Sequence, residues 1–262
     1  MNINSPVQSC TAAAKLEPCR SALRLSLILF PVLMSSGALG QSGSAGSSAN
    51  SKIPTAQEAS DIAAETQRRV DAAIPIVKKM TADPQANELL GKAKGIFIVP
   101  NYLQAALVFG GRGGSGVLLV RTDTHWSNPA FYKIGGGSFG AQIGGTKGAL
   151  VLLLMSDKAI NAFENNPSTW SLSAGAGLTA VSYSRQTPES QTLSDVVVWS
   201  DTKGLFGGAA VGASKMTRDT TANQVYYNNR DVTTQQILTG AVANPGAKPL
   251  VAVMPAPHAS KQ

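Results

Sequence analysis

The sequence predicts an α+β fold, in which a curved, Gly-rich, mainly antiparallel β-sheet of barrel-like or sandwich-like form carries N-terminal helices packed on it. Two observations lead to this prediction. Of the 262 residues, 14% are charged and 6% aromatic, while 26 are glycine, a composition that favours sheets and tight turns. From Gly95 onward, short apolar runs alternate with glycine-containing breaks, which is typical of strands.

The N-terminus resembles an export signal. Arg24 precedes an apolar run, Leu25 to Met34, that is too short to span a bilayer comfortably. An Ala38-x-Gly40 pattern then suits cleavage before Gln41. Residues 1–40 are therefore predicted to be a signal peptide, with a misassigned start or an uncleaved anchor as alternatives. Both cysteines precede the apolar run, so disulfides are not expected in the mature chain.

Residues 41–52 are predicted to be a flexible Gly/Ser linker, after which helical signals begin. Thr55 and Glu58 have the spacing of a capping box, and apolar residues then recur at helical spacing through Met80. Asp83 and Pro84 predict the N-cap and first residue of a second helix, which ends before Gly95.

The remaining segments predict strands with occasional helices. The runs read as strands are GIFIV, AALVFG, GVLLVR, ALVLLLM, SLSAGAGLTAVSYS, DVVVWS and GLFGGAAVGAS. A switch of apolar parity near Ala180 predicts a bulge or bend. Helices are expected at Asp157 to Asn165 and at Thr233 to Thr239. Residues 53–243 are predicted to form a single domain and 244–262 a mobile Pro/Ala-rich tail.

One short stretch, GGGSFG at Gly135 to Gly140, fits two known motifs. It matches the dinucleotide fingerprint and also the nucleophile elbow around Ser138. Both motifs need a helix directly after them, and the following AQIGGTKG has no helical face. The elbow also needs a later histidine, and only His258, near the chain end, follows. We therefore interpret these glycines as structural, with no catalytic residue, no metal site and no cofactor; a hydrolase acting through Ser138 is the weakest alternative.

Five ordered blocks carry a family resemblance. They are GKAKGIFIVP, GRGGSGVLLVR, HWSNPAFYKIGGGSFGAQIGG, VVVWSDTKGLFGGAAVGAS and NQVYYNNRDVTTQQIL, within Ala82 to Gly240. In order and spacing the chain resembles the SYLF domain family, in the form of an exported bacterial-type member. The resemblance implies a phospholipid-binding module, which in eukaryotic members is coupled to actin assembly. Only the lipid-binding part is expected to carry over to an exported protein.

Positive charge is concentrated in one part of the chain, which has a formal net charge of +7. Between Gly91 and Leu150, Asp123 is the only acidic residue. The basic residues there are Lys92, Lys94, Arg112, Arg121, Lys133 and Lys147. The predicted lipid-binding residues are Arg112, Arg121, Lys133, Lys147, Lys94 and, as a secondary candidate on a turn, Lys203. Scattered solubility charges are the alternative explanation.

The function predicted from these observations is non-enzymatic binding of anionic phospholipid, either at a basic membrane-facing surface or in a pocket between sheet and helices. The alternative is an envelope structural or protein-interaction protein with incidental lipid contact. The expected location is periplasmic or secreted, with peripheral membrane association. Nucleic acid is not an expected partner, because the chain is predicted to be exported and has no stripe of interleaved basic and aromatic residues.

Overall fold

The computed structural model describes residues 54–106, 109–122, 125–139, 144–165, 178–183, 194–202 and 214–256. Lys52–Gln262 form one compact unit. The predicted signal peptide and linker lie outside the described residues, as do Lys203, His258 and most of the runs SLSAGAGLTAVSYS and GLFGGAAVGAS.

The fold is α+β, as predicted, and is built on one seven-stranded sheet in the order β5-β6-β4-β1-β2-β3-β7. The strands are β1 Gly95–Ala106, β2 Phe109–Val120, β3 Ala130–Phe139, β4 Gly144–Leu154, β5 Ala180–Ser182, β6 Val196–Ser200 and β7 Lys215–Arg218. All neighbours are antiparallel except the β5–β6 pair. With β5 and β7 at its edges, the described sheet is open and is neither a barrel nor a sandwich.

Six α-helices accompany the described strands. They are α1 Ala56–Ala82, α2 Pro84–Lys92, α3 Asp157–Asn165, α4 Thr220–Tyr226, α5 Thr234–Leu238 and α6 Lys248–Val253. The sequence located four of them: Thr55 and Glu58 form the capping box of α1, Asp83 caps α2, and Thr233 caps α5. The fourth, α3, has the predicted bounds. The helix α1 continues through Pro75.

Helix α1 crosses one face of the sheet, hereafter the α1 face. Opposed pairs align Phe131, Val117, Ile98, Val151 and Trp199 in one row across β3, β2, β1, β4 and β6. The Arg69 guanidinium lies 5.5 Å from the Phe131 ring centroid, and Lys79 Nζ lies 5.9 Å from that of Trp199. The helix therefore runs across the strands from β3 to β6, with Val70, Ala73, Val77 and Met80 buried.

Helix α3 packs on the opposite face, hereafter the α3 face. Its Phe163 ring lies 5.5 Å from Phe97 and 5.8 Å from Tyr132, between ring centroids. This side also buries Leu118 and Leu152, which oppose Phe97 on the two neighbouring strands. Both faces of the sheet are therefore covered near the start of β1.

A β-bulge interrupts β1 between these covered regions and its far end. Ile98 opposes Val117 and Leu103 opposes Gly113. Leu103 is five residues after Ile98, whereas Val117 is only four residues after Gly113, so β1 contains one extra residue. The ladder with β4 shifts between Val99 and Tyr102, which locates the extra residue at Pro100–Asn101. Because strand side chains alternate, the bulge exchanges the two faces beyond it. This bulge was not predicted.

Glycine is required at three positions of β2: at Gly114 and Gly116 behind the bulge, and at Gly113, where a Cβ would lie 2.7 Å from the Ile134 carbonyl oxygen. A Cβ on Gly114 would lie 2.9 Å from the Asn101 carbonyl oxygen, and one on Gly116 would lie 2.8 Å from two Phe97 ring carbons. Gly137 differs, because a Cβ there would meet nothing within 4 Å. The structural role assigned to the GGGSFG glycines from the sequence therefore does not come from crowding around Gly137.

Three further predictions differ from the structure. AALVFG is not a separate strand, because it joins the end of β1 to the start of β2. The strand β7 and the helix α4 were not predicted. The segment expected to be a mobile tail forms a 3-10 turn, Pro245–Ala247, and the helix α6, because Ala247, Leu250 and Met254 have helical spacing and are buried.

We expect Gly116→Ala to lower the free energy of unfolding by about 1–3 kcal/mol, because the added methyl group overpacks β1. The matched variant Gly137→Ala should be neutral or slightly stabilising, since it adds a methyl group to open space on an exposed strand. Urea unfolding followed by circular dichroism measures both. Equal losses of unfolding free energy from the two variants would contradict our conclusion that Gly116 on β2 is closely packed and Gly137 on β3 is not.

Candidate anion-binding surfaces

The GGGSFG stretch lies in strand β3 and not at a strand-to-helix turn. Gly135 to Phe139 continue the ladder with β2, in which Ser138 opposes Gly110. A dinucleotide loop and a nucleophile elbow both require the chain to leave the sheet here and begin a helix. The geometry of Ser138 is therefore that of an ordinary strand residue.

Two of the predicted lipid-binding residues, Lys94 and Arg121, lie at the end of the sheet where β1 begins. Lys94 Nζ is 2.5 Å from Asp157 Oδ2. Arg121 donates to the Gly91 carbonyl oxygen and stacks 5.7 Å from the Trp126 ring centroid. Partial burial lowers the pKa of Arg121. Both side chains have partners within the chain, and both lie apart from the other predicted residues.

Lys133 and Lys147 share the α1 face beyond the helix. One row of opposed residues crosses four successive strand pairs. Lys147 opposes Leu103, Leu103 opposes Gly113, Gly113 opposes Gly135, and Gly135 opposes Lys215. Lys133 projects from the same face two residues before Gly135. We call Leu103, Lys133, Lys147 and Lys215 the lysine patch. With strands about 4.8 Å apart, it extends over roughly 19 Å.

The lysine patch is exposed, and glycines stand between its side chains. Leu103 is 52% exposed and is the one exposed large apolar side chain in the described part of the chain. Gly111, Gly137 and Gly145 are also exposed on this face. A Cβ would meet nothing within 4 Å at Gly111 or Gly137, and only a backbone oxygen at 3.9 Å at Gly145. Packing within the chain therefore does not explain why these positions are glycine.

A buried carboxylate, Asp219, borders the patch. Its Oδ2 lies 3.4 Å from Arg69 Nη1 and 3.2 Å from Lys133 Nζ, and its Oδ1 accepts a 3.4 Å hydrogen bond from Ala222 N at the start of α4. Arg69 also pairs with Glu65 at 2.6 Å. The Glu65–Arg69 pair has the four-residue spacing of a helix-surface ion pair, but Arg69 is buried. Its contact with Asp219 joins residues 150 positions apart, so sequence spacing could not predict it.

Arg112, another of the predicted lipid-binding residues, lies on the α3 face. It opposes Gln104 on β1 and Gly136 on β3, so it projects away from Lys133 and Lys147. Only 9% of Arg112 is exposed. Its Nη2 donates a 3.3 Å hydrogen bond to the Gly137 carbonyl oxygen. The five predicted residues that the structure describes therefore lie in three locations, while Lys203 lies outside the described residues. Lys215 and Leu103 join Lys133 and Lys147 at one of these locations.

Tyr102 and Ser214 accompany Arg112 on this side of the sheet. Both are fully buried. Burial raises the pKa of Tyr102, while the nearby Ser214 hydroxyl and the Arg112 charge act in the opposite direction. The three side chains therefore form one polar cluster inside an otherwise apolar environment.

Comparison with known proteins identifies the class. Residues 135–256 match the family model Ysc84, described as "Las17-binding protein actin regulator". This is the SYLF family, so the resemblance drawn from the sequence is confirmed and residues 135–256 carry a domain of this family. The match includes α4, α5 and α6 and extends into the segment predicted to be a tail.

Several curated proteins are similar to the chain. Protein YSC84 of Saccharomyces cerevisiae is 31% identical over 173 residues, which is 63% of this chain and 36% of that protein. LAS seventeen-binding protein 3 of the same yeast is 30% identical over 166 residues, covering 61% and 36%. SH3 domain-containing YSC84-like protein 1 of Bos taurus is 29% identical over 163 residues, covering 60% and 46%.

The chain therefore spans less than half the length of these relatives. No solved structure matches it. The family description names an actin regulator, and one of the relatives is named for binding LAS seventeen.

We expect Asp219→Asn to lower the free energy of unfolding by about 2 kcal/mol or more, because it leaves the buried Arg69 with a weaker partner. Asparagine remains a good N-cap, so the loss reports the charge and not the cap. The control Asp157→Asn removes the exposed partner of Lys94 and should cost less than about 0.5 kcal/mol. Urea unfolding distinguishes the two, and similar losses would show that the Arg69–Asp219 contact contributes no more than a surface pair.

Proposed function

We propose that this chain is a non-enzymatic, exported module of the cell envelope, periplasmic or secreted, that binds anionic phospholipid at a membrane surface through the lysine patch. The observation that supports this proposal is the exposed half of the α1 face. There, three lysines and one exposed leucine stand on a sheet surface otherwise lined by glycine.

Charge complementarity supports a negatively charged partner. The described strand positions of this half carry no carboxylate. Of the two carboxylates at its border, Asp219 pairs with Arg69 and Lys133, and Asp201 lies 3.8 Å from Lys79 of α1. Each lysine near an anionic membrane contributes about 1 kcal/mol, and this attraction fades within a Debye length of roughly 8 Å at physiological salt. Binding should therefore be salt-dependent.

Shape supports a broad, flat partner such as a bilayer. The exposed glycines leave the backbone surface without projecting side chains, so the lysines and Leu103 can contact a plane together. Leu103 is placed to enter the region between headgroups and acyl chains. Among the described helices, none is both long and apolar enough to cross a membrane. The association that we propose is peripheral.

The proposal of a non-enzymatic role rests on the site chemistry and the family. Ser138 lies within a strand ladder, and the described residues contain no group of His, Cys, Asp and Glu that could hold a metal ion. The family description names a regulator. No cofactor is required for the proposed binding.

A protein-binding role is the second candidate. LAS seventeen-binding protein 3 is named for binding another protein, and the matched family carries the same description. On this chain, an acidic protein segment could use the same lysine patch. The envelope structural or protein-interaction role predicted as the alternative corresponds to this candidate.

Vesicle flotation tests the lipid proposal. The full chain should float with vesicles that contain phosphatidylglycerol and not with pure phosphatidylcholine, and binding should weaken as salt is raised. Lys147→Glu combined with Lys215→Glu should reduce binding at least about tenfold, since it removes two attractive charges and adds two repulsive ones.

The matched control is Lys78→Glu combined with Lys248→Glu. Both lysines are exposed, and the change in net charge is the same, but they lie on α1 and α6. Flotation that falls equally for both double variants would show an effect of net charge alone. Absence of binding to anionic vesicles by the unaltered chain would favour the protein-binding candidate.

A further inference from the structure

Arg112 is a buried cation without a buried anion. It is more than nine-tenths buried, and its only hydrogen bond among the described residues is the 3.3 Å contact from Nη2 to a carbonyl oxygen. Its Nε is buried and has no hydrogen-bond partner. No carboxylate of the described chain pairs with it. A guanidinium in this state is costly, because a buried charge is normally compensated by an opposite charge and by a full set of hydrogen bonds.

Further polar atoms without partners surround the guanidinium. Tyr102 Oη and Ser214 Oγ are buried close to one another, and among the described residues neither has a partner with full hydrogen-bond geometry. Gln104 directly opposes Arg112, and its Oε1 is also buried without a partner. A half-turn of the Gln104 amide exchanges its oxygen and nitrogen, so the amide can present an N–H at this position instead.

The buried polar atoms without partners are grouped in one place, whereas an isolated packing defect would leave a single such atom. Four neighbouring side chains each keep a polar atom unsatisfied, whereas most buried polar groups in proteins have a partner. Three of the side chains can donate, and a fourth can do so after the rotation. Donors around an uncompensated positive charge form the arrangement that binds an oxyanion with several acceptor oxygens.

We propose that Arg112, Tyr102 and Ser214, with Gln104 beside them, form a binding site for one phosphate group on the α3 face of the sheet. Arg112 supplies the charge and a planar pair of donors, and the two hydroxyls complete the contacts to the remaining oxygens. The phosphate group belongs either to a lipid headgroup or to a soluble phosphate. The lipid source rests on the function proposed above; the soluble source does not.

This site is separate from the lysine patch. Strand register places Arg112 and Gln104 on the face opposite Lys147 and Lys133. Gln104 and Gly136, which flank Arg112 on the two neighbouring strands, retain intermediate exposure. The cluster therefore lies at the border of the buried region and not at its centre. The lysine patch would supply general attraction to an anionic membrane, and the cluster around Arg112 would recognise a single phosphate group.

The first test uses inorganic phosphate and the thermal unfolding of the full chain. Phosphate should raise the melting temperature of the unaltered chain by about 4 °C at saturating concentration, compared with chloride at equal ionic strength. Arg112→Met keeps the aliphatic stem and removes the charge. Without phosphate it should melt at the same temperature as the unaltered chain or higher, because an uncompensated buried charge is lost. With phosphate it should show no rise.

Tyr102→Phe and Lys133→Gln complete the comparison. The tyrosine variant removes only a hydroxyl group, so it keeps the test decisive if Arg112→Met does not fold, and it should weaken phosphate binding about tenfold. Lys133→Gln removes a charge on the opposite face and should leave the phosphate-induced rise unchanged. A purely structural role for Arg112 predicts that phosphate raises the melting temperature of the unaltered chain no more than chloride does, and this result would overturn the proposal.

The second test distinguishes the two sources of phosphate. Vesicles containing phosphatidic acid should bind the unaltered chain and lose at least about tenfold in affinity with Arg112→Met if the group is a lipid headgroup. If only inorganic phosphate binding depends on Arg112, the site is supported and its ligand is soluble. Vesicle binding that needs Lys147 and Lys215 but not Arg112, together with no response to phosphate, would support the lysine patch and refute the phosphate site.

Discussion

The extra residue in β1 at Pro100–Asn101 is the constraint on which both candidate binding surfaces depend. Before it, Ile98 faces α1 and Phe97 faces α3; after it, Tyr102 is buried toward the α3 side and Leu103 is exposed on the α1 face. An unbulged strand would exchange these two side chains, because alternation along a strand is strict. The close approach of β1 at the bulge also explains why Gly114 admits no side chain.

How much of the α1 face the helix α1 covers determines which part of that face is exposed. Its apolar side covers the row from Phe131 to Trp199. The charged group of Arg69 lies over the Phe131 ring, and that of Lys79 lies over the Trp199 ring. Beyond that row the sheet continues without a covering helix in the described chain, and glycines replace the large side chains. The lysine patch is thus the uncovered half of a face whose other half is core, which relates the proposed membrane contact directly to the packing that stabilises the domain.

Local signals in the sequence predicted the helices better than the site. Thr55 with Glu58 and Asp83 with Pro84 fix helix ends through contacts within four residues, and these ends were predicted correctly. The charge count from Gly91 to Leu150 could not separate Arg112 from Lys133, because only strand register decides which face a residue occupies. Lys215 was missed since KMTR contains no apolar run, although Pro100 inside a strand was a readable sign of the bulge.

The central claim, that the uncovered half of the α1 face contacts the membrane, is tested most directly by the depth of single labelled positions. A chain with Cys10 and Cys19 replaced by serine would carry an environment-sensitive fluorophore at Leu103→Cys or, as control, at the exposed Gln57→Cys on α1. With anionic vesicles, the label at 103 should shift to shorter wavelength and be quenched by lipid-borne quenchers, while the label at 57 should not change. A response at position 57 without one at 103 would contradict the account.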